Sequence, residues 1–167
     1  MSAQGTRAID VAKRGGVTFV VHEYTHDARS SLAAGGRGYA LEAVEALGIP
    51  AGRVFKTIVV AVDGAKLGVC VVPADGEVDL KLAADALGGR KAAVAVAAEA
   101  EKATGYVLGG ISPLGLRRPL PVVVDASAAD WPTIHVSAGR RGLEIELAAA
   151  DLVTLVRGRL APVARRP

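Results

Sequence analysis

Residues 54–72 carry two apolar runs, VFKTIVVAV and KLGVCVV, on either side of Asp63-Gly64. Asp-Gly between such runs is the turn of a tight antiparallel hairpin, because both positions tolerate a positive φ. Few folds accommodate a hairpin whose strands are apolar on both faces. Side chains alternate along a strand, so Phe55, Thr57, Val59 and Ala61 share one face while Lys56, Ile58, Val60 and Val62 share the other. Neither face is built for water, and the hairpin must be covered on both sides. Lys56 is the exception within it. A lysine there must reach a strand end, find a partner, or face a cavity that uses its charge.

The other elements follow from local signals. Thr6 is placed to cap a helix through Ala8, Ile9 and Ala12, ended by Gly15-Gly16. VTFVVHEY reads as a strand with Val17, Phe19 and Val21 on one face. The stretch from Tyr39 to Leu47 has helical spacing and stops at Gly48. Asp79 caps a helix to about Leu87, and a short strand and a helix from Ala97 to Thr104 follow. YVLGG reads as a strand, LPVVVD and TIHVS as two more joined across DWP, and GLEIELA as the last strand before a helix from Ala149 to Arg157. Hairpins mixed with helices, without regular βαβ alternation, predict an α+β fold: a mixed, largely antiparallel, barrel-like sheet with surrounding helices. No linker or repeat divides residues 1–167, so one domain is expected.

Composition narrows the functional classes. The apolar fraction of 51% comes mainly from Ala and Val, and no run reaches the roughly 20 residues of a membrane span. The N-terminus has no apolar signal segment, and a lone Cys70 forms no internal disulfide, so a cytoplasmic protein is expected. A net charge of +3 names no partner by itself. The basic pairs Arg117–Arg118, Arg140–Arg141 and Arg165–Arg166 suit phosphates or a solvated face. No G-x-S-x-G, P-loop or H-E-x-x-H is present. His22, His26 and Asp27 lack the spacing of a metal set, so neither a metal nor another cofactor is expected. Chemistry on this chain must rest on positioning, backbone groups and the substrate itself.

Three stretches, VFKTIVVAV, TGYVLGGISPLG and TIHVSAGRRGLEIEL, resemble in order and separation the YbaK family of free-standing trans-editing aminoacyl-tRNA deacylases. That family is related to the editing domain of bacterial prolyl-tRNA synthetases. The resemblance extends from about Ala8 to Arg165, and GGISPLG with SAGRRGLEIELAAADL is similar to the branch acting on cysteinyl-tRNA(Pro). It implies that Lys56 projects into the substrate pocket and that the backbone of Gly109, Gly110, Ile111, Ser112 and Pro113 lines the aminoacyl site. It implies pocket positions for Tyr24, Tyr39, Thr57 and Ser137. Glu144 stands where relatives carry aspartate. The substrate thiol is then the nucleophile, attacking its own ester and leaving as a thiolactone. The implied partners are the acceptor end of aminoacyl-tRNA and prolyl-tRNA synthetase; with no helix-turn-helix and no apolar span, neither DNA nor a membrane is expected, and a monomer is. Two alternatives remain at this point: an alanyl-tRNA(Pro) deacylase using activated water, and a non-catalytic tRNA- or protein-binding module of the same fold.

Overall fold

A computed structural model describes residues 5–25 and 38–166. Helix α1 (Arg7–Arg14) starts where the Thr6 side chain accepts from the Ile9 amide and buries Ala8, Ile9 and Ala12. Strand β1 (Phe19–Glu23) follows, then α2 (Gly38–Leu47) and the hairpin β2 (Phe55–Val62) and β3 (Lys66–Pro73). Both turn residues have positive φ, Asp63 at 52° and Gly64 at 77°. Next come β4 (Glu77–Val78), α3 (Leu80–Ala86), β5 (Ala92–Val94), α4 (Ala97–Thr104), β6 (Val122–Asp125), β7 (Ile134–Arg140), β8 (Leu143–Leu147), α5 (Ala149–Val156), β9 (Arg159–Ala161) and β10 (Ala164–Arg165).

These strands form a five-stranded sheet in the order β5-β2-β3-β6-β9, a three-stranded sheet β1-β8-β7, and the pair β10-β4. The hairpin is covered on both faces, as its composition demands. Val59, Val69 and Val71 face a core shared with Ile134, Val136, Leu143, Ile145 and α1. Val60, Cys70 and Val72 face a second core closed by Ala83 and Ala84 of α3. Burial pushes the Cys70 thiol up to about 12, leaving it a packed, unreactive group.

The mixed α+β class holds, but the sheets do not close into a barrel, because β7 and β8 pair with β1 rather than with the five-stranded sheet. YVLGG is not a strand. Gly105 ends α4 in the left-handed conformation, the Leu108 amide donates to the Glu101 carboxylate, and the Gly110 amide donates to Val107 O. Side-chain and local acceptors have taken the groups a ladder would need. LPVVVD and TIHVS do become strands but enter different sheets, with a 3-10 turn, Ala126–Asp130, between them. Nor is β8 the last strand. β9 and β10 follow, and Asp125 holds this tail by accepting from the Val163 and Ala164 amides at 3.0 Å each. No helix among the described residues is long and apolar enough to cross a membrane.

Candidate active site

One face of the three-stranded sheet is core, formed by Ile145, Leu143, Ile134 and Val136. The register places polar residues on the other: His22 and Ser137 both lie opposite Glu144, and His135 lies opposite Glu146. A cavity of about 310 Å³ opens at the Glu144 end of that face, between this sheet and the first half of β2. Its wall comes from Tyr24 after β1, Tyr39 and Ala40 of α2, Phe55 to Ile58 of β2, Leu108, Gly109 and Ile111, Ser137 of β7 and Glu144 of β8.

Strand β2 meets this cavity by its edge. Residues of both alternating faces, Phe55 and Thr57 with Lys56 and Ile58, line it. The pairing explains why: β5 pairs with β2 only at Val60–Val62, and β7 touches this edge by a single bridge from His135 to Val54, so residues 55–58 are in no ladder on that side. Lys56 therefore reaches the cavity half-buried from a strand whose remaining length is core. Beside it, Thr57 Oγ1 is buried and makes no hydrogen bond. A buried hydroxyl without a partner costs free energy, and here it borders the space a ligand would fill.

Glu144 is buried, and loss of water pushes its carboxyl up to about 8. It is neutral at pH 7 and available as a hydrogen-bond donor. The Tyr24 phenol is also pushed up, first by burial and then by Glu144 and Glu42, so it stays protonated. Ser137 Oγ accepts from the Gly139 amide at 3.2 Å, and no imidazole lines the cavity among the described residues. A serine without a base is a poor nucleophile.

Gly109 shapes the mouth. Its φ is 87°, and a Cβ there would stand 2.6 Å from Tyr39 Cε1 and 2.7 Å from Arg141 Nε. Only glycine fits. No hydrogen bond among the described residues uses the amides of Gly109 or Ile111, whereas that of Gly110 is spent on Val107 O.

Eight of the eleven residues singled out from the sequence thus border one cavity: Lys56, Thr57, Tyr24, Tyr39, Gly109, Ile111, Ser137 and Glu144. Gly110, Ser112 and Pro113 do not. Gly110 packs on the Arg140 backbone, Ser112 is fully buried with its Oγ accepting from Leu114 N, and Pro113 is buried beside it. They support the loop from behind. Ala40, Phe55, Ile58 and Leu108 line the cavity without having been singled out, although each adjoins or lies within two positions of a residue that was.

A different cluster occupies the other end of the polar face. His22 Nε2 lies 2.9 Å from Glu146 Oε1, and Thr133 donates to Glu146 Oε2 at 2.6 Å. Arg53 reaches both Thr133 and Glu146. His135 lies 5.1 Å from His22, ring to ring, and burial pushes it down to about 4. His22, His135 and Glu146 have the chemistry of a metal set, but an arginine and a hydroxyl already satisfy the carboxylate. His26 and Asp27, weighed with His22 in the sequence, lie outside the described residues.

Over residues 38–155 the chain matches the aminoacyl-tRNA editing domain family. It is 40% identical over 121 residues to an Enterococcus faecalis protein named "Putative Cys-tRNA(Pro)/Cys-tRNA(Cys) deacylase EbsC", covering 71% of this chain and 73% of that one. It is 28% identical over 111 residues to "Uncharacterized protein YwhH" of Bacillus subtilis, covering 66% and 70%. The fold superposes with a TM-score of 0.78 on a solved structure of "a putative trans-editing enzyme for prolyl tRNA synthetase", at 22% identity and 99% coverage of both chains. The family match spans most of the cavity wall, from Tyr39 through Lys56 and Gly109 to Glu144: the chain belongs to the aminoacyl-tRNA editing domain family.

Proposed function

We propose that this protein deacylates mischarged cysteinyl-tRNA(Pro), acting as a monomeric, cytoplasmic trans-editing domain built from the whole chain. The observation that carries this is the cavity itself. It is small, its wall is largely apolar, and its polar groups are a lysine, an unpartnered hydroxyl and a buried carboxyl rather than a nucleophile with a base. About 310 Å³ accommodates a small aminoacyl group and part of the ribose that bears it.

The substrate supplies the nucleophile. Its thiol sulfur bonds to its own ester carbonyl carbon, the bond from that carbon to the ribose oxygen breaks, and the thiol proton ends on that oxygen. Thiolactone and uncharged tRNA are the products. Holding the two ends of one small group in attack geometry supplies about 7–11 kcal/mol in well-oriented cases. Phe55, Ile58 and Ile111 pack the side chain, and Lys56 holds the ester region. The amides of Gly109 and Ile111, used by no hydrogen bond among the described residues, are the donors for the charge developing on the carbonyl oxygen. Glu144 and Thr57 offer neutral hydrogen bonds to the aminoacyl end. A cavity of this size grips only the acceptor end, so selectivity for tRNA(Pro) comes from prolyl-tRNA synthetase acting alongside.

The test is deacylation of cysteinyl-, alanyl- and prolyl-tRNA(Pro), with and without the synthetase. Selective loss of cysteine with release of thiolactone supports the proposal. Preferential loss of alanine transfers the activity to a water nucleophile, and no loss of any leaves a binding module.

A further inference from the structure

Beside the first cavity lies a second, more open one of about 470 Å³, lined by Glu23, Tyr24, Thr25, Arg140, Arg141 and Gly142. Tyr24 borders both, so the two are contiguous. The cations reach this place through a register shift in β7 between Ser137 and Arg140. Such a bulge re-aims the end of a strand, and here it sets the Arg140–Arg141–Gly142 turn at the mouth of the first cavity.

Arg141 is fixed there by two contacts. Its Nε donates to Leu108 O at 2.8 Å, and its guanidinium carbon lies 4.7 Å from the centre of the Tyr39 ring. Neither contact uses the two terminal nitrogens, and no carboxylate among the described residues pairs with it. Arg140, by contrast, is paired with Glu23 at 3.0 Å. One guanidinium is therefore pre-oriented and unpaired with any carboxylate among the described residues, and it joins Leu108 and Tyr39 of the first cavity's wall to the lining of the next. A planar fork held in this way is suited to an oxyanion with two acceptor oxygens.

The geometry points to a phosphate seat: the second cavity receives the phosphodiester that joins the terminal adenosine to the preceding nucleotide, with Arg141 as its main ligand and Arg140 as a second cation. This rests on the proposed function, since the acyl group in the first cavity sets which phosphate arrives. Glu23 tempers the site by occupying Arg140.

Equilibrium binding of the dinucleotide cytidylyl-adenosine against adenosine separates the two ideas. Wild type is expected to prefer the dinucleotide by about tenfold, and Arg141→Ala to lose most of that preference. Glu23→Gln frees Arg140 and is expected to tighten dinucleotide binding severalfold at low salt. For cysteinyl-tRNA, Arg141→Ala should raise KM more than it lowers kcat and reduce the salt slope by about 0.7. A wild type without dinucleotide preference, or a preference that survives Arg141→Ala, overturns the seat even if deacylation is robust. A protein that deacylates nothing overturns the proposed function, and the dinucleotide comparison still decides the seat.

Discussion

Glu144 and Glu146 are the same residue type, two positions apart on β8 and on the same face of the same sheet, yet they live in opposite states. Glu146 is held below the usual carboxylate range, first by the Thr133 hydroxyl and then by His22. Glu144 has lost its water without gaining a comparable set of donors, and its carboxyl rises to about 8. His22 lies opposite Glu144 in the register but turns its Nε2 to Glu146. At one end Thr133, His22 and Arg53 converge on the Glu146 carboxylate, and only His135 Nδ1 beside them is buried without a hydrogen bond among the described residues. The other borders a cavity, where the Thr57 hydroxyl makes no hydrogen bond and the Glu144 carboxyl has lost its water. Folding favours the first arrangement, and the second persists only where the surrounding core over-determines it.

The largest effect that tests this contrast is on catalysis. Lys56→Ala is expected to lower kcat/KM for cysteinyl-tRNA by about 10²–10³-fold while leaving the urea midpoint nearly in place, because the removed group faces the cavity. A matching loss of stability would instead make Lys56 part of the scaffold. Gly109→Ala comes next. Its Cβ collides with Tyr39 and Arg141 at a positive φ, so a loss of roughly 10–100-fold in deacylation is expected. Restored activity in a Gly109→Ala, Tyr39→Ala double variant would trace the loss to that collision.

At the other end the readout changes sign. Glu146→Ala should cost about 1–3 kcal/mol in unfolding free energy, since His22, Thr133 and Arg53 lose their shared acceptor. Deacylation should suffer far less than in Lys56→Ala. If activity falls further than stability, the two ends are one site and the contrast is broken.

The smallest effect is a pH slope. Between 4.5 and about 8 the folded protein holds a proton on Glu144 that the unfolded chain gives up, so stability falls as pH rises through that window. His135 works in the opposite direction, lowered from 6.5 to about 4, and costs stability only as pH falls below 6.5. From pH 6.5 to 8 the Glu144 slope therefore stands alone of the two. Urea midpoints measured there should decline in wild type and flatten in Glu144→Gln.

Much of this was legible wherever one residue does a local job. The Thr6 and Asp79 caps and the Asp63-Gly64 turn each depend on a side chain or φ within three positions, and all three are present. The double-sided burial of β2 and β3 follows from their composition. What could not be read is what depends on distant partners. YVLGG has the residues of a strand, and its loss of strand character rests on Glu101 and on the Tyr106 hydroxyl reaching Leu114 O. Strands β4, β9 and β10 are two or three residues long and carry no period of their own. Most of the site lies in or near three motifs, but the place of Arg141 beside Tyr39 depends on a bulge that no local pattern announces. His135 alternates with Ile134 and Val136 in TIHVS and lies off their core face. Its burial beside His22 comes from a strand more than a hundred residues away.

That separation has a consequence for how the protein comes into being. His22 and Glu146 stand 124 positions apart, and among the described residues β1 has no strand partner except β8. On a ribosome, which delivers the chain from its N-terminus, β1 emerges first and waits until most of the chain has followed. The cavity closes only then, since Tyr24 sits at one end of that wait and Glu144 at the other. A nascent chain is thus inert toward the charged tRNAs crowded around it, and activity appears as one of the last events of maturation.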